Sequence, residues 1–481
     1  MPEPIGSPRW WLNRLLARLE VEQPQLEQLD RWYKGDHPLP HIPPDLDKRY
    51  FAAQFRELLR QSRANFLALV VDATTERMRV NGFRLSASDD RVADEESWRI
   101  WQANQMDAES QLAIREALTK RRSYLSVWAA ESPGGYPKIA VEDACQTIVE
   151  HEPGNRHRRA AALKVWLDDW TGRQRANVYL PDGIYKFEAT TSDMLNRGEA
   201  PRAVRVREAG GWSELEDEFV ANPLGVVPVI PIVNRPDLYG VGQSEIEPVI
   251  PIQERINGTI FNRLLVAWFD SFKQKVLTGV EVPTDPETGQ PLEFPWKVAI
   301  DRLLVLENPD AKVLELAGSD MTPYLRAHER DIQDIAVITR TPRHYLFQEG
   351  QSPSGDAIKS AETGLVAKVR DKQRYMAEAF EEAIRLARQF AGEPDTPVDS
   401  EIEWADPEYR TEGELTDAVI KQYQAGLITI EMAQERLGYT PTQIARMGQQ
   451  RVAEALSQRG VELAEQLLTG GTNPSSSPPV G

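Results

Sequence analysis

One cysteine in 481 residues, Cys145, excludes a disulfide framework within the chain and any cysteine-rich metal site. Histidine is nearly as scarce. The six are scattered: His37 and His41 flank prolines in one loop, and His151 and His157 flank "EPGNR". Neither pair has helical ligand spacing with a carboxylate nearby, so solvated or capping histidines are the expectation. No run of about 18 apolar residues occurs, and no membrane span is expected. The most apolar stretch, "PLGVVPVIPIV" at 223–233, is short and broken by three prolines. The opening "MPEPIGSPRWW" lacks the basic-then-apolar order of a secretion signal. Positive charge is also short: 56 Lys and Arg against 74 Asp and Glu leave a net charge of −18. That argues against broad, tight binding of nucleic acid, without excluding a protein that lets DNA move past ungripped. A reducing, cytoplasmic origin fits the single thiol.

What is present reads as α+β. The length suggests about three domains, and 41% apolar with 27% charged residues is ordinary for a chain that buries real cores. Twelve tryptophans place several indoles in cores or subunit contacts. "RWWLNRLLARLEVE" sets Trp11, Leu15, Leu16 and Leu19 on one helical stripe. "DRWYKGDHPLPHIPPDL", residues 30–46, reads as a loop or extended arm, and "FRELLRQSRANFLALVVDATTERM" as a second helical stretch. Past Arg122 the period changes to two, rich in Val, Tyr and Trp, with "DDWTG" and "PDG" as turns. An antiparallel meander is expected over roughly 123–188, and it extends into "RVREAGGWSELEDEFV". Helical patterning returns near Pro251 and runs to Phe272. A proline-punctuated, strand-like insert follows, then a helix over about 320–339 with Tyr324, His328, Ile332, Ile335 and Ile338 near one face. From Asp356 to Ala391 there is no proline, and the apolar positions Ile358, Ala361, Leu365, Val369, Met376, Phe380, Ile384 and Ala387 recur at helical spacing. Such a rod spans on the order of 50 Å. One strand in "PVDSEIEWADP", short helices punctuated by Gly426 and Gly438, and a flexible tail complete the chain.

The loop "EGQSPSGDAIKS" invites a nucleotide reading, because Gly350 and Gly355 have the spacing of a phosphate-cradling loop. A Walker A motif continues with Lys and Ser or Thr. Here Asp356 and Ala357 stand instead: a carboxylate repels a triphosphate, and alanine offers magnesium nothing. The loop also follows a helix rather than a strand. Ser354 or Asp356 as N-cap of the rod, with Gly355 as a hinge, is the better reading. Asp168 and Asp169 fit a hairpin turn better than a metal site. Ser244 in "VGQSEIEP" reads as a helix start rather than a nucleophile. Cys145 has no motif around it and reads as a buried small hydrophobe.

The order of parts carries more than any single residue. "DRWYKGDHPLP", "SRANFLALVVDATTERMRVNGFR", "NPLGVVPVIPIVNRP", "GQSEIEPVIPIQERINGTIFNRLL", "ITRTPRHYLF", "PSGDAIKSAETGLVAKV" and "ITIEMAQERLGYTPTQI" follow one another as blocks. Over roughly residues 10–465 they resemble the portal proteins of tailed bacteriophages, in the branch common in long-tailed phages of Gram-positive hosts. The resemblance implies a portal fold: an α+β wing (1–241), a first stem helix (242–272), a small α/β clip (273–319) and a second stem helix (320–341). A tunnel loop (342–357), a long spine helix with a wing strand (358–405), an α-helical crown (406–468) and a tail (469–481) follow.

By the same resemblance the protein is not an enzyme and uses no cofactor. It implies a homo-oligomeric ring, usually of twelve subunits, at one capsid vertex of the virion, assembled in the host cytoplasm. Double-stranded DNA passes through the ring, which docks the terminase large subunit and then the head–tail adaptor, beside the major capsid and scaffold proteins. The tunnel-loop residues would be Arg343, His344, Gln351, Ser352, Ser354 and Gly355. Arg255, Arg263, Arg326, Arg330 and Arg340 are the stem candidates, each also able to pair with Glu254, Glu329 or Asp334. Glu349 makes the loop's charge mixed rather than plainly basic. A head–tail adaptor and a nucleoside triphosphatase are the weaker alternatives.

Overall fold

The computed structural model describes residues 3–38, 52–84, 94–190, 211–271, 275–278, 312–315, 319–346, 355–393, 400–408 and 412–469. Along the chain run α1 (Pro8–Tyr33), α2 (Ala52–Gln61), α3 (Leu67–Thr75), β1 (Val80–Arg84), α4 (Glu95–Ala103), α5 (Met106–Lys120), β2 (Arg122–Trp128) and β3 (Lys138–Glu142). The strands β4 (Thr147–Glu152), β5 (Asn155–Asp168), β6 (Arg173–Leu180), β7 (Gly183–Thr190), β8 (Trp212–Glu214), β9 (Val220–Ala221) and β10 (Val229–Val233) follow. Then come α6 (Ile250–Ser271), β11 (Lys275–Thr278), β12 (Lys312–Glu315), α7 (Thr322–Thr339), α8 (Arg343–Leu346), α9 (Gly355–Phe390), β13 (Glu401–Trp404), α10 (Glu412–Gln424), α11 (Ile430–Arg436) and α12 (Pro441–Thr469). The α+β expectation holds. The chain divides into two compact units, one of Met1–Asp30, Val70–Glu247 and Glu349–Gly481, the other of Arg31–Leu69 and Pro248–Gln348.

In the first unit the helical stripe of α1 does what its spacing implies. Leu12, Leu15, Leu16 and Leu19 are buried against Ile148, Leu163, Val165, Val178 and Phe187, the alternate inward positions of β4–β7. Arg14 and Arg18 sit beside that apolar seam and both reach Glu150 of β4, at 2.6 and 2.9 Å, which holds its carboxyl below the usual range against the opposing effect of burial. The expected Asp168 turn is present: its carboxylate accepts the Trp170 amide at 3.0 Å and its carbonyl the Gly172 amide at 2.7 Å.

The single meander expected over 123–188 is two sheets. β4 to β8 form the meander proper, in the order β4-β5-β6-β7-β8, with β9 also on β7. β2 instead lies between β3 and β10, with Ser126 opposite Val229 and Arg122 opposite Val233. Alternation marks a strand but not its partner, and β10 comes from about a hundred residues downstream. Three further readings change. α1 continues through Trp32 and Tyr33, into the stretch expected to be a loop. The second helical stretch is two helices, since residues 62–66 separate α2 from α3. Ser244 starts no helix; it is buried, and its hydroxyl donates to the Thr119 carbonyl at 2.6 Å.

The 36-residue α9 is the rod that the apolar period predicts. Leu365, Val369, Met376, Phe380, Ile384 and Ala387 are buried, whereas Ala361 is exposed and Ile358 half-buried. The same buried face carries charge. Lys368 and Lys372, one turn apart, are 1% exposed and converge on Glu245, which is 3% exposed. Lys368 Nζ is 3.0 Å from Glu245 Oε2; Lys372 donates to the other oxygen and, at 2.7 Å, to Asn234 Oδ1. The Asn234 amide donates in turn to Glu245 at 3.1 Å and to the Gln243 carbonyl at 2.6 Å. The strap 234–245 that brings these groups together needs Gly242, where a Cβ would fall 2.3 Å from the Arg121 carbonyl oxygen. Near the other end of α9, Arg388 bonds Asp94, the N-cap of α4, at 2.6 Å.

Candidate functional site

The stem candidates all fall in the second unit, on α6 and α7 and, for Arg340, at the C-cap of α7. Asp270, at the end of α6, accepts the Ser319 amide just before α7 at 3.0 Å. Arg255, near the start of α6, reaches Asp331 in the second half of α7 at 2.7 Å. The helices therefore run antiparallel, and between them β11 and β12 form a two-stranded ladder with Lys275 opposite Glu315. Ile256, Ile332, Ile335 and Ala336 are buried, and Thr339 caps its own turn by donating to the Ile335 carbonyl at 2.7 Å. Ile338, expected on the inner stripe, is 51% exposed, and Val337 beside it 77%. Both faces of α7 near its C-terminus carry aliphatic side chains, so periodicity does not choose between them.

α6 is also tied to the segment between α2 and α3 by side-chain amides that stand in for backbone partners. Gln253 accepts the Phe66 amide at 3.0 Å and donates to the Ala64 carbonyl at 2.8 Å; Asn257 accepts the Ala64 amide at 3.1 Å. Asn257 also meets His37 Nδ1 at 3.1 Å, and His37 stacks on Trp32 with ring centroids 4.6 Å apart. His37 is thus not the solvated histidine expected of its loop. It is fully buried, and desolvation lowers its pKa so that the neutral ring is favoured. Gln253 and Asn257, four apart with a buried register, are the residues that sequence reading passed over. Their signal is two amides at i and i+4 in the apolar stripe.

The five stem arginines separate into two groups. Arg255 pairs with Asp331 at 2.7 Å and Asp334 at 3.6 Å, and Arg330 with Asp334 at 3.4 Å. These two realise the ion-pair alternative, Arg255 through a partner on the other helix. Arg263, Arg326 and Arg340 make no ion pair among the described residues. Arg263 stands close enough to His328 to depress its pKa, after the larger effect of burial. Arg340 ends α7 in the left-handed region at φ 55°. Beyond it the short α8 carries Arg343 and His344, with the His344 ring edge-on to Tyr345 at 4.7 Å. Gln351, Ser352 and Ser354 lie outside the described residues, as do Glu349 and most of 273–319; Gly355 is the first residue of α9.

A family model described as "Phage portal protein, SPP1 Gp6-like" matches residues 12–450. The chain belongs to this portal family. Relatives agree: it is 28% identical over 501 aligned positions to the portal protein of Mycobacterium phage D29, covering 98% of this chain and 95% of that one. It is 29% identical over 435 positions to the portal protein of Mycobacterium phage L5, covering 85% and 84%. The resemblance drawn from the sequence blocks is therefore correct at the level of the family. Among the described residues no helix is long and apolar enough to cross a membrane. No cluster of three or more His, Cys, Asp or Glu there has the arrangement of a metal site.

Proposed function

We propose that this protein is the portal of a tailed-phage virion: a ring, usually of twelve subunits, at one capsid vertex through which double-stranded DNA enters and leaves. The observation that carries the reading is the portal match across residues 12–450, joined to the order α6, the β11–β12 pair, antiparallel α7, short α8 and the 36-residue α9. In this reading α6 and α7 are the stem, residues 273–319 the clip that meets the terminase large subunit and then the head–tail adaptor, and residues 342–357 the tunnel loop. The outer parts contact the major capsid and scaffold proteins during assembly in the host cytoplasm.

The electrostatics favour passage over capture. Twelve copies at −18 carry on the order of −200 charges, a field that repels a polyanion wherever it faces the channel. Every tight phosphate contact brakes sliding, so a few unpaired cations suit the channel better than a basic lining. Arg263, Arg326 and Arg340 fill that role in the stem; Arg343 and His344 come next, as the first of the tunnel-loop residues. Gln351, Ser352, Ser354 and Gly355 follow as small or uncharged contacts that track a helical polyanion without fixed register. Negative-stain electron microscopy of the purified chain tests the reading. Rings with a central channel are expected, and monomers or dimers under every assembly condition would sink it.

A further inference from the structure

The C-terminal helices are held to the rest of their unit by little apolar surface. Among the described residues of α10–α12, Val419, Ala433 and Ile444 are the buried apolar side chains, while Ile420, Tyr423, Val452 and Leu456 are exposed. A cavity of about 450 Å³ remains between α10, α11 and the β1–β13 pair, lined by Trp404, Leu415, Val419 and Gln422 among others. With so little packing, the polar contacts across the seam take a larger share of the docking.

One of those contacts is unusual. Arg84 of β1 holds two carboxylates at once, Glu403 of β13 at 2.6 Å and Glu435 of α11. Glu435 is 9% exposed and Glu403 28%. Both carboxylates are bound by the same guanidinium nitrogen, which brings the two acids together. One cation cannot neutralise two carboxylates, and a proton on Glu403 relieves the repulsion that remains. The other groups at the seam do not replace it. Arg436 of α11 donates to Gln422 of α10, Glu401 and Asp406 at the ends of β13 add negative charge, and Lys359 of α9 pairs with Glu414 of α10 at 2.7 Å.

We propose that Arg84, Glu403 and Glu435 form a proton-operated catch, which holds α10–α12 on the β1–β13 pair while Glu403 is protonated and loosens them when it ionises. Burial first, and then Glu435, push the Glu403 carboxyl up to about 7. Because the docked state binds this proton more tightly than the free helices do, docking weakens as pH rises from the ordinary glutamate range through about 7.

The test is amide hydrogen exchange of the full chain at about pH 5.5 and about pH 8.5, corrected for the intrinsic rate. Protection across residues 412–436 is expected to fall at least about tenfold at the higher pH while β5–β7 keep theirs. Glu403→Gln retains a hydrogen-bond donor without the charge, so its C-terminal helices should stay protected at both. Three results overturn the proposal: wild-type protection that does not change, a Glu403→Gln chain that responds like wild type, or an equal loss in β5–β7, which would be global unfolding.

Discussion

Lys368 Nζ stands 3.0 Å from Glu245 Oε2, with 1% and 3% of the two side chains exposed. A buried pair of this kind adds little net stability over a well-packed apolar pair, because both ions are stripped of water. Removing one partner is a different matter, since it strands the other. The pairing therefore sets where α9 lies against the strap 234–245.

Glu245→Ala should accordingly lower stability by about 3–5 kcal/mol, because it leaves the Lys368 and Lys372 ammoniums without their carboxylate. Denaturant unfolding of the full chain reads it. Combining it with Lys368→Met should recover part of the loss; a double variant as unstable as the sum of the singles would show that the two residues do not interact.

Lys372 sets a pH dependence of unexpected sign. Burial, opposed by Glu245, lowers its pKa to about 8. The unfolded chain keeps that proton to the ordinary lysine value of about 10.4. Between about 8 and 10.4 the unfolded state therefore binds more protons, and stability rises with pH. Below about 8 the full cost of a buried ammonium is present. Wild type compared with Lys372→Met should gain relative stability across that window. A flat difference would mean that the amine stays charged.

The two paired stem arginines should differ. Arg255→Ala leaves Asp331, whose side chain is 10% exposed, without its cation, at a cost on the order of 1–2 kcal/mol. Arg330→Ala breaks an exposed pair within one helix, and the change should stay within about 0.5 kcal/mol. Unfolding curves of the two variants, measured side by side, decide it.

The channel reading makes a separate demand. Arg263→Glu, Arg326→Glu and Arg340→Glu together should leave rings intact by electron microscopy and slow DNA packaging in an assembly reaction. Deleting Gln351 to Ser354 should likewise spare the ring while impairing packaging or retention. Rings that fail to form in the deletion would make the segment a subunit contact.

Much of this protein is written in the order of its residues. A period of 3.6 marks the inner face of α1 and α9, and a period of two, cut by "DDWTG" and "PDG", marks β5–β7. Both depend only on neighbours along the chain. The succession of blocks carried the family for the same reason: order survives where single residues change. Tertiary structure alone decided the rest. β2 takes β10 and β3 as partners because burial, not alternation, selects which strands meet. His37 is buried because Asn257 and Trp32 close over it. Lys368 and Lys372 look like solvated charges in the sequence, yet they belong to the core of their unit. Desolvating an ammonium is tolerable only where a carboxylate waits, and Glu245, more than a hundred residues away along the chain, is brought there by the fold.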